Sequence, residues 1–237
     1  MGPAGQKWTT LARLQDAHSA VFEEEEPGLL GIGMSPDFAI GQRALLVPTE
    51  AGNVLWDCIP LLDDEIVERI QDVGGIRSIA ISHPHYYSTM VEWAETFDAR
   101  IYLHARDREW VMRPDPRIIF WDEEVLDLAP GVTLIRSGGH YDGGTVLLWA
   151  AGADGRGSLL TGDIIQVIPD REWVSFMYSY PNLIPLPPSS IEGIVASLEP
   201  FGFDRIHGAW FGRIIPADAK GIVRRSADRY IDAITDR

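Results

Sequence analysis

Short apolar runs alternate with amphipathic segments along most of the chain. Residues 43–48 and 53–56 are mostly apolar strand candidates on either side of the turn-like Thr49-Glu50-Ala51-Gly52, the pattern of a hairpin ending at Asp57. Residues 63–73 place Ile66, Val67, Ile70 and Val73 at helical spacing among charges, and Gly74-Gly75 ends that helix. Ile79 to Ile81 then reads as a buried strand that stops at Ser82-His83-Pro84-His85. Thr89-Met90-Val91-Glu92 has the spacing of a capping box and opens a helix to about Phe97. Residues 100–104 form the next strand. Strand and helix alternate here, as in a layered α/β domain.

The pattern becomes strand-rich further on. Residues 118–121, 125–128 and 132–135 are short strands, followed by a glycine-rich stretch from Ser137 to Gly144. Strands at 145–150 and 158–160 flank the turn Gly152-Ala153-Asp154-Gly155, and the second leads into Thr161-Gly162-Asp163. Ser189 or Ser190 caps a helix to about Leu198, residues 203–207 form a strand, and 216–235 a final helix. At the other end, residues 7–20 read as a helix behind Thr9 or Thr10, and Glu23 to Glu26 as a solvated acidic run. No repeat or linker interrupts the pattern, so residues 1–237 are expected to form one domain.

Composition narrows the function. A net charge of −15 argues against nucleic acid or an anionic membrane as partner. No run is long and apolar enough for a membrane span, and Met1 to Lys7 lack the apolar core of a leader, so the cytoplasm is the expected location. Cys58 is the only cysteine, which excludes an intrachain disulfide and a cysteine-rich zinc site. Gly31-Ile32-Gly33 is followed by Pro36 where a dinucleotide fingerprint needs its third glycine, and no G-x-S-x-G elbow exists.

Histidine carries the chemistry. His83 and His85 stand two residues apart at a strand end, so in extended chain both side chains point the same way. His104 and His207 also end strands, His140 lies in the glycine-rich stretch, and Asp163 follows Gly162. Open sheets gather functional side chains at the ends of their strands, and neutral imidazoles suit a borderline metal ion such as zinc or iron.

In the order Asp57, His83-x-His85, Gly139-His140, Gly162-Asp163, His207, the chain resembles the metallo-β-lactamase superfamily. The resemblance covers roughly residues 28–210 and implies a four-layer αββα sandwich with the site at one edge of two sheets. It implies that His83, His85, His140 and Asp163 bind metal, with His207 either a further ligand or a hydrogen-bonding group in the cleft. Asp57 takes a structural position, and His104 a structural or supporting one. The chain departs from the family where Asp-His should follow the H-x-H, because Tyr87-Ser88 stand there. A phenol of pKa about 10 and a serine hydroxyl are poor ligands at neutral pH. One divalent ion is therefore expected, zinc first, with iron or manganese as alternatives.

The expected activity is hydrolysis of an ester, thioester or lactone of a small organic molecule, with Asp163 and Tyr87 in catalytic roles. An iron-dependent oxygenase of the same fold and a non-catalytic binding protein are the competing readings. Tyr86, Trp173, Tyr178 and Tyr180 are candidate substrate contacts. The aromatic, proline-rich stretch 173–188 that holds three of them suits either a loop covering substrate or a homodimer surface.

Overall fold

The structure is a computed structural model that describes residues 7–235. Residues 1–6, which bear most of the expectation about a leader, lie outside the described residues. A seven-stranded sheet runs in chain order through Ser19–Glu26, Leu29–Ser35, Ala44–Val47, Val54–Trp56, Ser78–Ala80, Arg100–His104 and Ile118–Trp121. Its first four strands are antiparallel neighbours, and Val54–Trp56, Ser78–Ala80 and Arg100–His104 run parallel. The parallel strands are joined through the helices Asp64–Gln71 and Met90–Phe97, as parallel neighbours require. A six-stranded sheet has the order Ile214–Ile215, Arg205–Gly208, Ser158–Gly162, Thr145–Trp149, Val132–Arg136, Val125–Ala129. Two-stranded ribbons pair Gln166–Val167 with Val174–Ser175 and Met177–Ser179 with Ile184–Pro185.

By internal packing the chain divides into two compact units. The first runs to Ile81 and takes in His85–Tyr102 and Arg113–Ile119. Leu45, Leu55, Trp56, Ile66, Ile70 and Trp93 are among its buried side chains. The second comprises Ser82–Pro84, Leu103–Met112 and everything from Phe120 onward. Its core joins Val146 and Leu159 of the six-stranded sheet to Ile191, Ile194 and Leu198 of the helix Pro188–Leu198, and to Ile222 and Val223 of the helix Ala219–Thr235. Among the described residues no helix is long and apolar enough to cross a membrane.

Several local expectations need correction. The N-terminal helix is confined to Leu11–Ala17, capped by Thr10, because His18 leads into the strand Ser19–Glu26. Only Glu23 and Glu24 of the acidic run are exposed. Glu25 meets the buried Arg43 guanidinium at 3.0 Å, and Glu26 is itself buried. No capping box forms at Thr89, whose hydroxyl donates instead to the Ile59 carbonyl at 2.8 Å, while Glu92 pairs with Arg113. The helix after the proline-rich stretch starts at Pro188, where the missing N–H costs nothing, so neither Ser189 nor Ser190 is its cap. That stretch is also not wholly irregular, since both ribbons draw strands from it.

Candidate metal centre

His83 and His85 leave the strand Ser78–Ala80 through a short 3-10 turn, Pro84–Tyr86, and not in extended chain. The turn still directs both imidazoles to one place: ligand atoms of His83, His85, His140 and Asp163 all lie within 4.8 Å of one another. His83, His140 and Asp163 are buried and His85 is exposed. An ion at about 2.0–2.2 Å from its ligands separates any two of them by at most about 4.4 Å. The 3.6 Å between His83 Nε2 and Asp163 Oδ2 falls inside that limit.

The loop that carries His140 is tightly built. Ser137 and Gly138 N–H groups both donate to the Gly144 carbonyl at 2.8 Å, and Gly144 N–H donates to the Tyr141 carbonyl at 2.9 Å. Gly139 has φ +83°, and a Cβ there would lie 2.7 Å from Ile194 Cδ1, so only glycine lets the loop press against the core. Thr145 N–H donates to the Ser82 carbonyl at 2.9 Å, tying the end of this loop to the residue before His83. Asp163 is set at the end of the strand Ser158–Gly162, where the Thr161 hydroxyl donates to the Ile165 carbonyl at 2.7 Å.

Hydrogen bonds behind two of the ligands orient their rings. His140 Nδ1 lies 2.9 Å from the Met177 carbonyl, so this nitrogen must carry the proton and Nε2 presents its lone pair. His83 Nδ1 meets Ser82 Oγ at 2.8 Å, leaving Nε2 as the nitrogen that faces Asp163. The Tyr180 hydroxyl donates to the Asp163 main-chain carbonyl at 3.1 Å. Burial, reinforced by the Asp163 charge, pushes the Tyr180 phenol well above its ordinary range, so it stays a donor. Three imidazoles and one carboxylate, two of the imidazoles held by groups behind them, form a donor set suited to a zinc-like ion.

The other anticipated residues lie elsewhere. His207 is buried in the strand Arg205–Gly208 and is not one of the four clustered residues. Tyr86 is packed into the interior and offers substrate no surface, a correction that follows from the 3-10 turn rotating its ring inward. Tyr87 is half-buried, Tyr178 exposed, and Trp173 lies under the Arg229 guanidinium at 4.3 Å. His104 is structural: its Nδ1 accepts from Arg106 N–H at 3.3 Å, so Nε2 donates to the Glu123 carbonyl at 3.2 Å.

Two residues near the cluster were not anticipated. Tyr141 stacks on His83 with ring centres 5.6 Å apart, and follows His140 in the same loop. Asp107 is buried and accepts the Gly143 N–H at 2.8 Å, closing the loop from behind. Nothing in the alternately charged Arg106-Asp107-Arg108-Glu109 distinguishes it as a buried carboxylate. Burial raises its pKa to about 6, against the usual 3.8. The folded state therefore holds this proton where the unfolded chain has released it. The stability gained is complete below about pH 4 and is lost as pH rises through about 6. Asp107→Asn keeps an acceptor for Gly143 without that loss. Urea denaturation should find the variant's stability relative to wild type rising by roughly 1–2 kcal/mol between pH 4 and 7, after allowance for screening. A pH-independent difference would mean that Asp107 does not titrate there.

The chain is 51% identical over 234 residues to the uncharacterised protein YmaE of Bacillus subtilis (strain 168), covering 98% of this chain and 85% of YmaE. The chain belongs to the YmaE family. No protein-family profile matches it. Among solved structures it is similar to the metallo-β-lactamase DIM-1, with TM-score 0.66 and 12% identity over 92% of this chain and 98% of that one. It is similar to FIM-1 of Pseudomonas aeruginosa, in its mono-zinc form, with TM-score 0.64 and 15% identity over 89% and 95%. A B3 metallo-β-lactamase with an active-site glutamic acid gives 0.58 and 16% over 98% of both chains. At such identities the likeness establishes the fold, which is that of the metallo-β-lactamases. The four-residue cluster fits that fold, as the resemblance in the sequence implied.

Proposed function

We propose that this protein is a metal-dependent hydrolase that works with a single zinc ion on an ester, thioester or lactone of a small organic molecule. The cluster of His83, His85, His140 and Asp163 carries this reading, because three imidazoles would hold one such ion with a position left open, and the carboxylate stands beside them for proton transfer. FIM-1, of the same fold, has been solved in a mono-zinc form, which supports the single-ion reading. A bound ion supplies electrophilic activation of the carbonyl and a nucleophile from water at neutral pH. The remaining work falls to the chain. His140 and His83 are oriented by Met177 and Ser82, and the Asp163 carboxylate would accept the proton lost by the attacking water and return it to the leaving oxygen or sulfur. Tyr180 holds the Asp163 main chain in place while this happens. Cytoplasmic residence accords with the single, buried Cys58.

Metal analysis of untagged protein together with a panel of esters, thioesters and lactones tests the proposal. Zinc near one per chain with turnover of any member supports it. Iron with oxygen consumption would replace it by the oxygenase reading, and a metal-free, inert protein would leave a binding role.

The single-ion reading has its own check at Tyr87 and Ser88. Ser88 is exposed, and Thr89 uses its hydroxyl on the Ile59 carbonyl and not on the helix N-terminus. A bulkier residue at 88 therefore disturbs no side-chain cap. Tyr87→Asp combined with Ser88→His is expected to raise the metal content from about one to about two ions per chain, as in two-metal hydrolases. Titration that still saturates at one ion, in a variant with wild-type circular dichroism, would refute the idea that these two positions alone set the stoichiometry.

A further inference from the structure

An aromatic face continues outward from the cluster. Tyr141 lies nearly parallel to His83, at 5.6 Å and 29°, and edge-on to His140 at 5.3 Å and 81°. Trp110 in turn meets Tyr141 edge-on, at 5.7 Å and 86°. Trp110 remains 47% exposed and Met112 beside it 79% exposed, although both are large apolar residues. Trp110 keeps about half its surface in water while its ring contacts Tyr141, the residue stacked on His83.

The backbone under this face is fixed. Tyr141 sits in the loop closed by the Gly144 N–H bond to its own carbonyl and by Asp107 on Gly143. Asp107 belongs to the same 3-10 turn as Trp110, Ala105–Trp110, so one short element supports the loop and presents the indole. A neutral aromatic surface next to a hydrolytic centre selects planar apolar groups, which gain from offset or edge-on ring contacts beyond area burial. The net charge of −15 disfavours anionic substrates at long range and accords with a neutral one.

We propose that Trp110 and Tyr141 form the specificity wall of the site, taking an aromatic ring attached to the carbonyl of the substrate. This rests on the hydrolase reading only for the word substrate: the wall would select ring-bearing ligands whether or not they are cleaved. The test therefore measures binding first. Benzohydroxamate and acetohydroxamate bring the same metal-chelating head and differ in the ring, and their affinities are compared on zinc-loaded protein. Wild type should prefer benzohydroxamate by roughly threefold to tenfold, the yield of one aromatic pair. Trp110→Ala should bring the ratio close to one, and Trp110→Phe should keep most of it. Tyr141→Ala should also abolish the preference, and a Tyr141 variant that fails to fold leaves Trp110 to decide. An unchanged ratio in folded Trp110→Ala overturns the wall. Esters of benzoate and acetate, assayed alongside, separate the two failures. Cleavage without ring preference defeats the wall alone, and ring preference in binding without any cleavage defeats the hydrolase alone.

Discussion

His140→Ala is expected to lose bound metal while remaining folded. The substitution removes one of three imidazole donors, and since loss of a mere supporting contact can cost 10–100-fold in metal affinity, loss of a ligand should weaken binding by at least about 100-fold. The fold does not depend on that donor. The second unit holds a cluster of 20 buried apolar residues among those described, and each Val, Leu or Ile contributes roughly 1.5–3 kcal/mol. Removing the imidazole should cost about 1–3 kcal/mol of stability, as other buried truncations do. Metal content and circular dichroism on the same preparation give the answer. A variant with no native spectrum would make the cluster a folding element in place of a catalytic one.

Asp163→Asn should leave metal binding partly intact and reduce turnover by about 10²–10⁴, the usual worth of a positioned acid-base group. Asparagine has the shape of aspartate, and the main-chain carbonyl that accepts from Tyr180 is unchanged, so the turn after Gly162 should persist. The carboxylate charge beside His83 Nε2 is what disappears. Comparing kcat/KM with zinc content separates the roles of this residue. A fall in rate that merely follows the fall in occupancy would reduce Asp163 to a ligand. Activity within about tenfold of wild type at full occupancy would remove it from the chemistry.

The features legible in the sequence were those set by local patterning. The hairpin around Thr49–Gly52 and the strands leading to His83 and Asp163 follow from apolar runs bounded by turn residues. The cluster was legible because His83, His85 and Asp163 follow strand ends, where functional side chains gather, and because the resemblance added His140 from its glycine-rich loop. What stayed hidden depends on partners distant in sequence. Glu25 looks solvated until Arg43 is placed beside it, and Thr89 looks like a cap until the Ile59 carbonyl competes for its hydroxyl. Asp107 gains its meaning only from a glycine 36 residues away. Tyr86, a candidate substrate contact by sequence, is buried although His85 next to it is exposed, because one 3-10 turn is enough to send adjacent side chains in different directions.

With an ion in the cluster, the bond from His140 to the Met177 carbonyl would make ion retention and backbone order reciprocal. Met177 begins one strand of the ribbon completed by Ile184–Pro185, and its sulfur accepts from the Tyr230 hydroxyl on the helix Ala219–Thr235. Whatever steadies that ribbon thereby aims Nε2, and an ion captured by Nε2 steadies the ribbon by the same free energy. Hydrogen exchange at residues 177–185 thus becomes a gauge of occupancy at a distance from the ligands. Equally, a change on the last helix that frees Met177 would be felt as a faster metal off-rate, with every ligand still in the sequence.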